Sequence, residues 1–210
     1  MDRRTVILSG LAAAGSVSAC VTASPDPARA PQYPVDGSAP QGAGAPPPAF
    51  TTEELARAGS DFLGVAAESV AAAIERIAGE QRGARPTAYI AGEEASAALA
   101  VGARYGRGVL YMKTGAPPTE VFWQGPSVGW DVGGNAARVF TLIYGMQTPE
   151  QVFRRFPGVE GSAYLVGGLG VNYQAGDGMV LAPIRAGVGL RLGANVGYLA
   201  YSRQRNLLPF

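Results

Sequence analysis

The sequence predicts a mainly β protein: a small closed β-barrel of about eight strands, with an N-terminal helix and a second short helix. Three observations lead there. From Gly158 to Phe210, apolar residues alternate with glycine or polar residues over most of the stretch. After Pro183, Ile184, Ala186, Val188, Leu190 and Leu192 share one parity, and Arg185, Gly187, Gly189, Arg191 and Gly193 share the other. Strand side chains alternate between faces, so this pattern makes one apolar face and one small or charged face. The chain also has 30 glycines, about twice the average usage of roughly 7%, and 16 prolines. Glycine weakens a flat strand but suits a sheet that coils sharply or meets another backbone.

Residues 1–19 read as an export signal. Arg3 and Arg4 give a basic start, and Val6 to Val17 is apolar or small and uncharged. That stretch fits a secretory h-region and falls short of the ~20 residues needed to span a bilayer. The arginine pair also fits a twin-arginine signal, so Sec and twin-arginine export both remain open. Val17-Ser18-Ala19-Cys20 resembles the lipobox of bacterial lipoproteins, which makes Cys20 the expected lipid-attachment site and a membrane anchor. The alternative is cleavage by ordinary signal peptidase at this site or after Val21-Thr22-Ala23. Residues 20–48 are rich in Pro, Ala, Gly and Ser, and read as a disordered tether.

The folded domain is expected over residues 49–210. Thr51 followed by Glu53 and Glu54 is a capping pattern. Leu55, Phe62, Val65, Ala66, Val70, Ala73, Ile74 and Ile77 recur at helical spacing, which predicts one helix ending at Gly79 or Gly83. Its small residues let it lie against the sheet or plug it. Strands are expected at Thr87 to Ala91, Ala98 to Tyr105 and Val109 to Lys113, the last two joined by a turn at Gly106-Arg107-Gly108. Further strands fall at Glu120 to Gln124, Val128 to Val132 and Arg138 to Tyr144. Thr148 as N-cap and Pro149 at the first position mark the second helix, ending near Phe156. Three more strands follow, one hairpin turning at Asp177-Gly178.

Ala91-Gly92-Glu93-Glu94, the run from Phe122 to Asp131 (FWQGPSVGWD) and the run from Gly187 to Leu199 (GVGLRLGANVGYL) closely resemble the EipA family of alphaproteobacterial envelope proteins. The resemblance spans roughly Thr51 to Phe210. It implies a small periplasmic β-barrel of about eight strands and a role in cell-envelope integrity. It implies no enzymatic activity and no catalytic residue. The glycine-rich half also distantly resembles SYLF lipid-binding domains, on composition more than motif. A lipid-binding or lipid-transfer module is therefore the alternative function.

The totals narrow the chemistry. A formal net charge of +1 offers no nucleic-acid surface. The sequence has no histidine, which removes the commonest metal ligand and general base. With Cys20 as its one cysteine, the chain can form no intrachain disulfide and no thiolate metal cluster. Ser127 and Ser162 have no histidine with which to make a triad, and Lys113 is the one lysine available to a Ser–Lys pair. Glu93 and Glu94 point to opposite faces of a strand, so they read as a solvated turn rather than an acid–base pair. Gly133-Gly134-Asn135 and Gly167-Gly168-Leu169-Gly170 read as turns, since neither fits a dinucleotide fingerprint. No cofactor and no metal is expected.

The ligand-binding candidates are Trp123, Trp130, Arg104, Arg185 and Arg191. With Phe122, Tyr105, Tyr111 and Tyr144, the tryptophans supply either barrel core or a wall for an acyl chain or sugar ring. An arginine inside a barrel needs an anionic partner, for which Asp131, Glu120 and Glu160 are available. The expected partners are envelope components, either lipid or envelope polymer. The expected address is the periplasm with a tether to the outer membrane. The terminal Phe210 admits an outer-membrane barrel instead. The tether, the helices and the short strands argue against that.

Overall fold

The computed structural model describes residues 47–129, 134–159, 163–186 and 197–206. Two helices lead, where one was expected. The first, α1 (Thr52–Leu63), carries a complete capping box: Thr51 Oγ1 accepts from the Glu54 amide, and the Glu54 carboxylate accepts from the Thr51 amide. It ends at Gly64, whose φ of 69° closes a left-handed C-cap on Ser60 O. The second, α2 (Ala67–Glu80), continues the same apolar stripe in a new direction. Of the expected stripe, Leu55, Val70, Ala73, Ile74 and Ile77 are buried, but Phe62 and Val65 are half-buried and Ala66 is exposed, because the break between the helices turns Leu63 inward instead.

The strands are all antiparallel and belong to one sheet. They are β1 (Ala88–Met112), β2 (Thr119–Gly129), β3 (Gly134–Tyr144), β4 (Arg155–Pro157), β5 (Tyr164–Val166), β6 (Leu169–Val171), β7 (Gln174–Gly176), β8 (Met179–Ala186) and β9 (Tyr198–Ser202). The order across the sheet is β4-β9-β2-β1-β3-β8-β6-β5, with β7 also paired to β8.

The hairpin expected at Gly106-Arg107-Gly108 is not there. These residues lie inside β1, a single strand of 25 residues. Its first part pairs with β3, Ala88 opposite Ile143 through Ala97 opposite Gly134. Its second part pairs with β2, Ala100 opposite Gly129 through Leu110 opposite Thr119. The glycines serve close approach rather than a turn. A Cβ on Gly92 would sit 2.3 Å from Arg107 O, and one on Gly108 2.5 Å from Ala91 O. The strand thus bends until two of its own segments touch backbone to backbone.

The second helix is shorter than expected. A 3-10 turn over Pro149–Val152, capped by Thr148 and Gln151, gives way to β4. Phe156 is the reason: it is fully buried, and Arg155–Pro157 pairs with Tyr198 to Ala200. The hairpin at Asp177-Gly178 is as expected, with φ of 49° and 73° at the two turn residues.

Among the described residues the ladders draw a curled half-barrel of nine antiparallel strands. It branches at β8. The first half of this strand pairs with β7 and its second half with β6, so the sheet forks there and leaves β5 as an edge. Across the gap, β7 meets the end of β4 through one isolated bridge, Gly158 to Gln174, and a bond from Val159 N to Tyr173 O of 3.0 Å.

Two cores follow from strand parity. On the outer face Phe140, Leu142, Ala182 and Ile184 pack under α1 and α2. On the inner face Ile90, Leu110, Val121, Phe156, Leu181 and Leu199 fill the curl. The helices therefore lie against the sheet and do not plug it. The apolar parity of β8 meets the helices, and the parity that carries Arg185 turns inward. The glycine-rich continuation from 187 to 196 lies outside the described residues, as does the run expected from Val128 to Val132 beyond Gly129.

Candidate functional site

At one level of the inner face the apolar filling stops and charge begins. Along β1, Ala88, Ile90, Gly92 and Glu94 share the inward parity. Ala88 and Ile90 are buried, and Glu94 is 6% exposed. Glu93 points the other way, to solvent. The expectation of a solvated turn therefore holds for neither the turn nor Glu94: the residues are in a strand, and one of the pair is buried.

Three side chains from three strands converge on Glu94, two by hydrogen bonds and one by charge alone. Arg185 Nε of β8 lies 3.0 Å from Oε1, and its Nη2 lies 3.4 Å from Oε2. Arg104 Nε, later in β1, stands 3.4 Å from Oε1. Trp123 Nε1 of β2 donates to Oε2 at 2.9 Å. Arg185 Nη1 also donates to Asn172 Oδ1. Close by, the Tyr201 hydroxyl donates to Gln174 Oε1 at 3.3 Å.

The indole has its place because two glycines leave it. A Cβ on Gly106 would lie 2.0 Å from Trp123 Cε2, and one on Gly92 2.7 Å from Cη2. Trp123 is 3% exposed, and its ring centroid lies 6.1 Å from that of Tyr201.

Burial pushes the Glu94 carboxyl up, but Arg185, Arg104 and the hydrogen bonds from Arg185 and Trp123 outweigh it. The net direction is down, below the ordinary carboxylate range. Burial pulls the Arg104 guanidinium down, with Glu94 opposing and Arg185 adding to the shift. Burial also raises the Tyr201 phenol. A carboxylate held ionised by two guanidinium groups is a poor general acid or base. It orders its surroundings and sets the local charge instead.

Three of the five predicted ligand residues thus converge: Trp123, Arg104 and Arg185. Trp130 and Arg191 lie outside the described residues, as does Cys20. The anionic partner is not one of those expected. Glu120 is exposed on β2, and Asp131 and Glu160 are outside the described residues. Of the remaining aromatics, Phe122 and Tyr105 line the cavity beside the cluster, and the other two lie elsewhere. Tyr111 stacks on Tyr89 with centroids 5.0 Å apart, and Tyr144 sits in the core under the helices. Glu94, Asn172, Gln174 and Tyr201 were missed. Strand parity alone carried a signal for Glu94, which is in step with Ala88 and Ile90.

Beside the cluster is a cavity of about 880 Å³. Its wall includes Glu94, Trp123, Phe122, Leu63 and Val65, with Arg107 and Arg138.

A curled antiparallel sheet, backed by two helices and knotted inside by one carboxylate between two guanidinium groups, defines a barrel-like β protein with a charged interior. Comparison with known proteins gives that class a family. The family described as envelope integrity protein A (EipA) matches residues 48–210, and the chain belongs to it. A crystal structure described as a β-barrel-like, uncharacterised protein from Brucella abortus is 41% identical, covers 77% of this chain and 99% of its own, and superposes with a TM-score of 0.66. No curated protein matches.

Proposed function

We propose that this protein is a non-enzymatic component of the periplasm that maintains cell-envelope integrity, anchored to the outer membrane through an acylated Cys20. The family match over residues 48–210 carries the reading. Two further points support it. Glu94 is occupied as an ion-pair partner, which leaves it unsuited to proton transfer. The helices cover the outer faces of β3 and β8, where a membrane-spanning barrel would present apolar side chains to lipid. In this reading the strands close fully into a barrel, and the domain acts as a scaffold that contacts lipid or envelope polymer.

The test is a deletion strain challenged with detergent and with a divalent-cation chelator. It is expected to lose viability at doses the parent survives, and the wild-type chain is expected to restore growth. Unchanged survival under both challenges would remove the envelope role. Cys20→Ser is expected to move the protein from the membrane fraction to the soluble one, and continued membrane fractionation would exclude the anchor.

The cavity favours a second reading. Its apolar wall and arginines suit an amphiphile, so the domain would bind or transfer a lipid. Lipid extraction from the purified protein, followed by mass spectrometry, separates the two readings.

A further inference from the structure

The interior cluster does not balance. Two guanidinium groups face one carboxylate, and among the described residues Glu94 is the carboxylate that acts on Arg104, with the weaker Tyr201 phenol beside it. Arg185 acts on Arg104 as a like charge. Buried charge is tolerated when it is paired, and among the described residues one positive charge is left over here.

The hydrogen bonds tell the same story independently. Arg104 Nε is buried and, although 3.4 Å from Glu94, donates no hydrogen bond among the described residues. Asn172 Nδ2, in a residue 4% exposed, is also buried and has no acceptor among the described residues. Its other terminus, Oδ1, is taken by Arg185. Both orphans are donors. Both belong to side chains that contact the Glu94–Arg185 pair. Orphaned buried donors are rare, because leaving one unmade costs the full desolvation of the group. Surplus positive charge and unmade N–H groups together specify an acceptor that carries negative charge.

We propose that the Glu94–Arg104–Arg185–Asn172 cluster binds one small oxyanion, a carboxylate or a phosphate group, with Arg104 and Asn172 supplying the free donors. Such a group neutralises the surplus and accepts from N–H donors, which water can do only in part. Arg104 and Arg185 are 19% and 13% exposed in their side chains, so the cluster is not sealed from solvent. The cavity that reaches Glu94 and Trp123 can hold whatever body the oxyanion is attached to. The inference does not depend on the envelope role. Anion binding holds whether or not loss of the protein weakens the cell.

The experiment is thermal unfolding of the full chain at fixed ionic strength, in chloride and with increasing acetate, inorganic phosphate or submicellar decanoate. The wild type is expected to melt at rising temperature with at least one oxyanion and to saturate, as a site must. A larger effect of decanoate than of acetate assigns the group to an amphiphile. Equal effects assign it to a free anion. Arg104→Gln leaves Glu94 and Arg185 as a neutral pair. It is expected to melt no lower than wild type in chloride and to show no oxyanion response. Asn172→Asp removes no guanidinium and installs the missing negative charge, so it should melt higher than wild type and also ignore added oxyanion. Identical wild-type melting in chloride and in all three oxyanions would overturn the proposal. So would an undiminished oxyanion response in both variants.

Discussion

Glu94 sets the charge of the interior, and its substitution tests that directly. In Glu94→Gln, Arg104 and Arg185 would face each other with no carboxylate between them. Breaking a buried pair costs about 3–5 kcal/mol, so chemical denaturation should show a loss of that order. The same residue gives a pH dependence of definite sign. Its carboxyl titrates below the ordinary 4.5 in the folded state. Its contribution is therefore complete above about pH 4.5 and is lost as pH falls through the depressed folded value. Unfolding curves of the wild type should weaken through that window, and Glu94→Gln should weaken less. Sequence reading placed Arg104, Arg185 and Trp123 as site residues because strand-borne arginines and a tryptophan must be reconciled with a small interior. It missed Glu94 because two adjacent carboxylates look solvated unless the strand register is known. Asn172 and Gln174 had no signal at all, since an isolated amide says nothing about which face it occupies.

At the scale of the element, β1 explains both the success and the failure of the local rules. Capping residues placed α1 and the 3-10 turn, because their chemistry acts within three or four residues. Asp177-Gly178 placed the β7–β8 hairpin for the same reason. Gly106 and Gly108 misled because glycine signals a turn locally and a crossing only in three dimensions. The clearance around them makes a sharp prediction. Gly92→Ala and Gly108→Ala set a methyl against backbone oxygen, which cannot move aside as a side chain can. Each should destabilise by at least about 1–3 kcal/mol. Gly106→Ala meets the Trp123 ring instead, so it should also redden tryptophan emission by loosening the indole. Alanine at Gly79 meets nothing within 4 Å and is the control expected to keep full stability.

At the scale of the molecule, the sheet is not uniform. Long ladders join β1 to β2 and β3, whereas one isolated bridge joins the end of β4 to β7. Native-state hydrogen exchange should rank them. Amides at the Gly158–Gln174 junction and in the edge strand β5 should exchange first, and those of β1 and β3 last. Exchange at the junction as slow as in β1 would mean that closure is stronger than one bridge supplies. The mainly β class and a leading amphipathic helix were legible from alternation and from the apolar stripe, but whether helix backs or plugs the sheet was not. The fork at β8 was not, because pairing partners far apart in sequence leave no local mark.

The place of β1 in the chain has a consequence for how the protein is made. A ribosome releases β1 before either of its partners and long before β9, which pairs with both β2 and β4. The nascent chain therefore carries a long strand with both edges unpaired, and β2 keeps one edge open until Tyr198 to Ser202 emerges. Completion waits for β9, the last of the described strands to be made. A chain truncated before Tyr198 would keep that β2 edge for good and should be recovered as aggregate, a dependence on escort by chaperones that the finished fold no longer shows.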